Sequence, residues 1–142
     1  MLMDNGSLSV STTGTGTLVL TFIQTDLSAA SPSQSFFGEF SAVSLTNMTA
    51  TRSFYADATN SGLTTTLLGT TSGTNAAFSS APVALSGLYS ITEVVSITAL
   101  GSGAALLSAD DNIRIPEPMT LGLFGMALVA LGLVRQRRTQ PA

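Results

Sequence analysis

The sequence predicts an all-β protein, with an antiparallel β-sandwich or barrel-like body followed by one C-terminal transmembrane helix. Short runs of alternating apolar and polar residues recur at intervals of about ten residues, which is typical of such bodies. Gly, Ser and Asn separate these runs and indicate turns. No helical amphipathic period occurs before residue 116, and an uncharged apolar run follows soon after it. We therefore expect one domain over residues 1–115 and a separate tail.

The alternating runs predict the strands of the body in order. Apolar residues of one parity would share a face, because successive side chains of a strand point to opposite sides. Turns are expected at 14–16, 60–62 and 101–103, and a loop at 28–35. The predicted strands are 7–13, 17–26, 36–45, 48–58, 63–70, 75–79 and 88–100, and the segments 104–107 and 110–115 then lead into the tail.

Charged residues interrupt two of the apolar faces. Arg52 lies within the apolar face of 48–58, and Glu93 lies within that of 88–100. We expect Glu93 to lie at a sheet edge and to face water, where a charge opposes edge-to-edge pairing. A buried binding role for Glu93 is the alternative. The apolar members of the second face are Tyr89, Ile91, Val95, Ile97 and Ala99.

The composition excludes several kinds of chemistry. The chain has no cysteine, histidine or lysine, which excludes thiolate metal sites, a Ser-His-Asp triad and a lysine Schiff base. Residues 1–118 contain eight acids and two arginines, and this charge of −6 does not suit nucleic acid. The 20 Thr and 19 Ser favour a solvated β surface built from hydroxyls in place of charges. We expect a body that is not an enzyme and that needs no cofactor.

Calcium is the one metal for which the sequence supplies candidate ligands. Asp110, Asp111 and Asn112 supply three consecutive oxygen ligands at a predicted loop. The spacing of an EF-hand is absent, and solvated loop acids are the simpler interpretation. We also expect neighbouring side chains such as Asp110 and Asp111 to point to opposite faces if this segment forms a strand.

Two further alternatives concern the body. A glycan-binding module would show exposed aromatic rings around a groove, and Tyr55 and Tyr89 are the tyrosines available for it. An enzyme of the glycosidase type would need two carboxylates about 5–10 Å apart in a cleft. The acids considered for that pair are Glu39, Asp57 and Glu93.

The last residues of the chain form three segments in a fixed order. Pro116, Glu117 and Pro118 form a rigid, extended element. The uncharged stretch 119–134 follows; as a helix it would be about 24 Å long, against a hydrocarbon core of about 30 Å. An arginine cluster then favours a cytoplasmic C-terminus and a body on the outer side of the membrane. The cluster consists of Arg135, Arg137 and Arg138, and residues 139–142 end the chain.

The apolar stretch has a stripe of small residues on one side. Gly122, Gly125 and Gly132 fall within about 80° on a helical wheel. Such a stripe allows another helix to approach closely. Small residues are also common in membrane helices without any partner, and both interpretations stay open.

The order of these segments resembles the PEP-CTERM sorting tail of Gram-negative bacterial surface proteins. The resemblance covers about residues 116–138 and extends to the recurring Leu-Gly pairs of the apolar stretch. It implies that an exosortase, an integral membrane enzyme, reads Pro116, Glu117 and Pro118 and cleaves near them. It also implies that the arginine cluster is the membrane stop, and that the protein accompanies exopolysaccharide and biofilm formation.

The first 30 residues contain no basic segment followed by an apolar run long enough for a signal peptide. We therefore expect the natural start to lie upstream of Met1. With such a signal, the precursor would reach the inner membrane with its body outside, and then the cell surface or the extracellular matrix.

Overall fold

The computed structural model describes residues 3–115 and residue 126. Residues 3–115 form ten strands, and every strand pair among them is antiparallel. This confirms the prediction of an all-β, antiparallel body. The strands are β1 (Met3–Thr12), β2 (Gly16–Ser28), β3 (Ser33–Gln34), β4 (Phe37–Thr46), β5 (Met48–Asp57), β6 (Thr66–Ser72), β7 (Asn75–Ser79), β8 (Val83–Ala84), β9 (Leu88–Ala99) and β10 (Ala104–Arg114).

Eight of the strands form two four-stranded sheets. Sheet A has the order β1-β10-β4-β7, and sheet B has the order β2-β9-β5-β6. Buried residues of both sheets belong to common apolar clusters, so the sheets pack face to face as layers of a sandwich. The short strands β3 and β8 pair with each other beside the two sheets.

Four short connections cross from one sheet to the other at the same end of the body. They join β1 to β2, β4 to β5, β6 to β7, and β9 to β10. The tightest is the single residue Asn47, whose φ of 47° is a conformation that Asn adopts more readily than most residues. Its carbonyl accepts a hydrogen bond from the Leu100 N–H at 2.8 Å, which ties two of the connections together.

The strand β10 ends at the opposite end of the body. Met3 pairs with Ile113 at this end, so the first described residue lies beside the end of β10. Because β10 ends at Arg114, only Ile115 separates the sheet from Pro116.

The buried faces agree with the sequence pattern in the two central strands of sheet B. In β5 the apolar residues on the face of Arg52 are buried, as predicted, and so are those on the face of Glu93 in β9. The core consists of two clusters, one toward the crossing connections and one toward the end of β10. Their members in β5 and β9 are Met48, Ala50, Val95, Ile97 and Ala99 in the first cluster, and Phe54, Ala56, Tyr89 and Ile91 in the second.

Several predicted boundaries were wrong, since β1 is Met3–Thr12 and not 7–13, and β6 is Thr66–Ser72 and not 63–70. The segments 104–107 and 110–115 belong to one continuous strand, β10, because β1 and β4 supply backbone partners on both of its sides. Tertiary pairing here overrides the low strand preference of its Asp and Asn residues. The predicted loop 28–35 contains β3, which pairs with a strand that begins directly after Pro82.

Candidate functional site

Three charged side chains meet inside the core. Arg52 in β5 and Glu93 in β9 belong to sheet B, and Asp111 in β10 belongs to sheet A. Their exposed fractions are 1 %, 0 % and 3 %. Each lies, along its own strand, between a residue of the first apolar cluster and a residue of the second. These three residues, called the charged layer below, divide the core into its two parts.

Arg52 is the centre of the charged layer. Its Nε donates a hydrogen bond to Asp111 Oδ2 at 2.8 Å and lies 3.4 Å from Glu93 Oε1. The guanidinium carbon lies 3.3 Å from the centre of the Phe40 ring, within reach of a cation–π interaction. Arg52 therefore connects an acid of its own sheet with an acid and an aromatic ring of the other sheet.

The electrostatics of the charged layer are dominated by burial. Burial lowers the pKa of Arg52, while attraction to Asp111 and Glu93 and the hydrogen bond to Asp111 raise it. Within the described residues, Nη1 and Nη2 of Arg52 and Oδ1 of Asp111 have no hydrogen-bond partner. Side chains this deeply enclosed do not meet a ligand from solvent, so the arrangement acts by holding the two sheets together.

The expectation for Glu93 was therefore wrong. Glu93 lies in β9, which has β2 on one side and β5 on the other, and not at a sheet edge. The sequence did contain a usable signal. Arg52 and Glu93 each interrupt an apolar face, and two opposite charges of this kind balance each other when the two faces are buried in one core.

Asp57 organises the connection between β5 and β6. Its carboxylate accepts hydrogen bonds from the backbone N–H groups of Thr59, Ser61 and Leu63 and from the hydroxyls of Thr59 and Ser61. The hydroxyl of Ser61, then that of Thr59 and its N–H, hold the pKa of Asp57 well below its ordinary value. Since all of these donors belong to its own loop, Asp57 is engaged in shaping the turn predicted at 60–62.

The outer face of sheet A has a shallow groove of about 460 Å³. It follows three neighbouring strands, β10, β4 and β7, which are in register here. Glu39 lies opposite Asn112, and Asp110 lies opposite Ser41. At one end, Arg114 reaches Glu39 with 3.6 Å between Nη2 and Oε2, and both side chains are about half exposed. The other residues lining the groove are Phe40, Asn75, Ala76 and Ala77.

The structure separates the three candidate calcium ligands. Asp110, Asp111 and Asn112 lie in a strand and not in a loop, so the alternation expected for Asp110 and Asp111 applies. Asp110 is exposed on the outer face, whereas Asp111 is buried in the charged layer. The three side chains do not form one ligand set, and the described residues contain no group of three or more acids arranged to hold a metal.

The acids considered for a catalytic pair lie in three different places. Glu39 is on the outer face of sheet A, Asp57 is inside its loop, and Glu93 is in the core. The structure therefore does not bring any two of them together in a cleft. Of the two tyrosines, Tyr89 is fully buried against Phe36, and burial raises its pKa, while Tyr55 is half-buried in β5.

The sites predicted in the tail lie outside the described residues. They are the recognition element Pro116, Glu117 and Pro118, the helix over 119–134 apart from Met126, the stripe Gly122, Gly125 and Gly132, and the arginines Arg135, Arg137 and Arg138. In the described part of the chain, no helix has the length and apolar character needed to cross a membrane.

Comparisons with known proteins do not show a family for this chain. No protein-family model and no curated protein matches it. Among solved structures, the chain is similar to one from the infectious bursal disease virus Gx strain, with 13 % identity and a TM-score of 0.29. The alignment covers 78 % of this chain and 32 % of the viral chain. A similarity of this size carries no argument about function.

Proposed function

We propose that this chain is an exported, non-enzymatic protein of the cell surface or extracellular matrix, sorted through its C-terminal tail by an exosortase. The observation that carries the proposal is the order of the three tail segments: Pro116-Glu117-Pro118, the uncharged stretch 119–134 and the arginine cluster. In the precursor, the stretch crosses the inner membrane as a helix and the arginines remain in the cytoplasm. The released body then acts beside exopolysaccharide in a biofilm.

Two features of the body support this proposal. The end of β10 adjoins Pro116, so the recognition element follows the folded body after one residue. Four charged side chains of the body are already occupied within the fold, because Arg52, Glu93 and Asp111 are enclosed in the core and Asp57 accepts hydrogen bonds from its own loop. An extended peptide between a folded body and a membrane is the kind of substrate that a membrane-embedded protease can bind.

Processing tests the proposal directly. The chain is expressed behind a working signal peptide, in cells with and without an exosortase, and membrane-bound and released forms are separated on a gel. We expect a shortened, released form only where the enzyme is present. Replacing Pro116, Glu117 and Pro118 together by Ala should abolish this form while membrane insertion persists. The matched control replaces the exposed body prolines Pro32 and Pro82 by Ala and should leave processing unchanged.

Two results would contradict the proposal. One is a membrane-bound band of the same size in both strains. The other is processing that continues in the triple Ala variant, which would place the recognition element elsewhere in the chain.

The groove on sheet A favours a second candidate, a module that binds calcium or a glycan and that the same tail delivers. Glu39 and Asp110 present carboxylate oxygen atoms on the outer face of sheet A, beside this groove. Calorimetric titration with Ca²⁺ and with a neutral glucan separates the two candidates. Binding of either probe that Asp110→Asn weakens at least tenfold would favour the module. If neither probe produces measurable heat, the second candidate function is contradicted.

A further inference from the structure

The two edges of the sandwich differ in the length of their strands and in how they are covered. At one edge lie β6 and β7, which have seven and five residues and contact each other. The Phe78 ring covers Gly38 and Gly69 there, so closely that a side chain at either glycine would overlap it. At the other edge lie β1 and β2, which have ten and thirteen residues. One edge is therefore short and closed by an aromatic ring, and the other is long.

The strand β2 of the long edge offers unpaired backbone groups within the described part of the chain. Among the described strands, β2 pairs only with β9, and β1 pairs only with β10. The pairing of β2 is regular from Gly16 to Gln24 and is broken by a bulge before Leu27. Along such a strand, alternate residues direct their N–H and C=O groups toward the free side. The nine regular residues of β2 therefore form a template for another strand.

The residues of this edge do not carry the charges that usually protect one. Edge strands of soluble proteins commonly use Lys, Pro or inward-pointing charge to prevent pairing. From Leu8 to Thr25 the sequence has no charged residue and no proline. Asp4 and Asp26 lie outside this stretch, and Asp26, with φ 60°, falls within the bulge. Protection is thus confined to the ends of the edge, and its middle is neutral.

Apolar side chains at the same edge are only partly covered. Leu18 is 42 % exposed, although it shares the parity of Leu20 and Phe22, which pack against the core. Leu8 and Val10 of β1 are also only partly buried. On the other face of β2, Val19 and Ile23 are more than half exposed. A strand added beside β2 would remove part of this apolar surface from water.

A second copy of the same chain suits this edge best. A twofold axis normal to the sheets places β2 antiparallel to its own copy, and the uncharged stretch then meets an identical uncharged stretch. An approach through the outer face of sheet A would instead bring Glu39 and Asp110 of one copy toward those of the other. The edge is about 30 Å long and roughly 20 Å deep, which gives about 600 Å² per copy, at the lower end of specific interfaces.

We propose that two copies of this protein associate through their β2 edges, with the two β2 strands antiparallel, and so extend sheet B across the dimer. This self-association goes beyond the proposed sorting function and does not depend on it. The bulges of β1 make β2 the strand that determines the register.

Cross-linking through single cysteines tests the geometry, since the natural chain has no cysteine. One residue of β2 must face its own copy across the twofold axis, and the neighbouring positions are already too far apart for a disulfide. Each residue from Thr17 to Gln24 is replaced by Cys in turn, in the full chain in detergent. We expect disulfide-linked dimer at one position only. Thr51→Cys, exposed on the interior strand β5 of the same sheet, is the control. Equal yields at every position, or no yield above this control, would overturn the proposal.

A second measurement avoids substitutions at the core-facing positions of β2. Sedimentation velocity of the full chain in detergent should show a monomer–dimer equilibrium. Val19→Lys with Thr21→Lys places charge on the exposed side of β2 and should weaken the dimer at least tenfold, whereas Thr51→Lys should not. A monomer at every concentration would overturn the proposal and would favour a strand of another protein as the partner of this edge. A dimer that the edge lysines do not affect would overturn it in favour of association through the tail.

Discussion

At the scale of single residues, the core depends on the charge of Arg52. Arg52 is the positive member of the charged layer, and it faces two carboxylates. Arg52→Met keeps an unbranched apolar stem but leaves Glu93 and Asp111 without a counter-charge. Breaking a buried ion pair from one side costs about 3–5 kcal/mol. We therefore expect Arg52→Met to lower the free energy of unfolding by about this amount, as measured by urea unfolding of the full chain in detergent.

The control for this prediction removes the whole charged layer. Replacing buried ionic groups by apolar ones of similar size is often neutral or stabilising. The combination of Arg52→Met, Glu93→Leu and Asp111→Leu should therefore recover most of the stability lost in the single variant. If Arg52→Met unfolds at the same urea concentration as the natural protein, the charged layer contributes nothing to stability.

At the scale of an element, the connection between β5 and β6 depends on the charge of Asp57. The folded-state pKa of Asp57 is lowered, and the ordinary value in an unfolded chain is about 3.9. Its contribution to stability is therefore fully present above about pH 4 and is lost as the pH falls toward the folded-state pKa. Asp57→Asn removes this charge. The stability of the variant should therefore fall less steeply than that of the natural protein between pH 5 and pH 2. Urea unfolding midpoints across this range measure the difference.

Asp110→Asn provides the matched control for the acid profile. Asp110 is an exposed acid at the groove of sheet A, and no hydrogen bond to its side chain is found in the described structure. Its replacement should change the profile less than Asp57→Asn does. Parallel pH profiles of the natural protein and Asp57→Asn would mean that the loop does not depend on the carboxylate charge.

At the scale of the whole molecule, the net charge opposes association. The body, residues 1–115, has seven acids and two arginines and so carries −5, and the proposed dimer brings two such bodies together through a neutral edge. Raising the ionic strength from about 0.01 M to about 0.15 M shortens the screening length from about 30 Å to about 8 Å. Because screening reduces repulsion between the bodies, the proposed dimer should become tighter as salt is added. Sedimentation at several salt concentrations measures this trend, and a dimer weakened by salt would indicate that ion pairs hold it together.

The proposed dimer also has a consequence for the tails. A twofold axis normal to the sheets reverses the strand direction between copies, so the two β10 strands end on opposite sides of the dimer. Such an arrangement suits bodies released from the membrane, which the proposed processing would produce.

The sequence by itself determined the fold class and most of the strands. Alternation in 48–58 and 88–100 predicted which side chains are buried, because a half-buried strand requires a period of two. The residues missing from the composition excluded several catalytic chemistries without reference to any structure. The tail hypothesis also rests on sequence alone, since its residues are contiguous in the chain.

Features that depend on residues far apart in the chain were decided only by the tertiary structure. Arg52, Glu93 and Asp111 form one layer because the two sheets stack with these positions at the same level, and strand order is not encoded in local periodicity. For the same reason, the structure moved Glu93 from an expected edge to the core and separated Asp110 from Asp111. It also showed that β2 lies at an edge, since the number of neighbours a strand has is a property of the whole sheet.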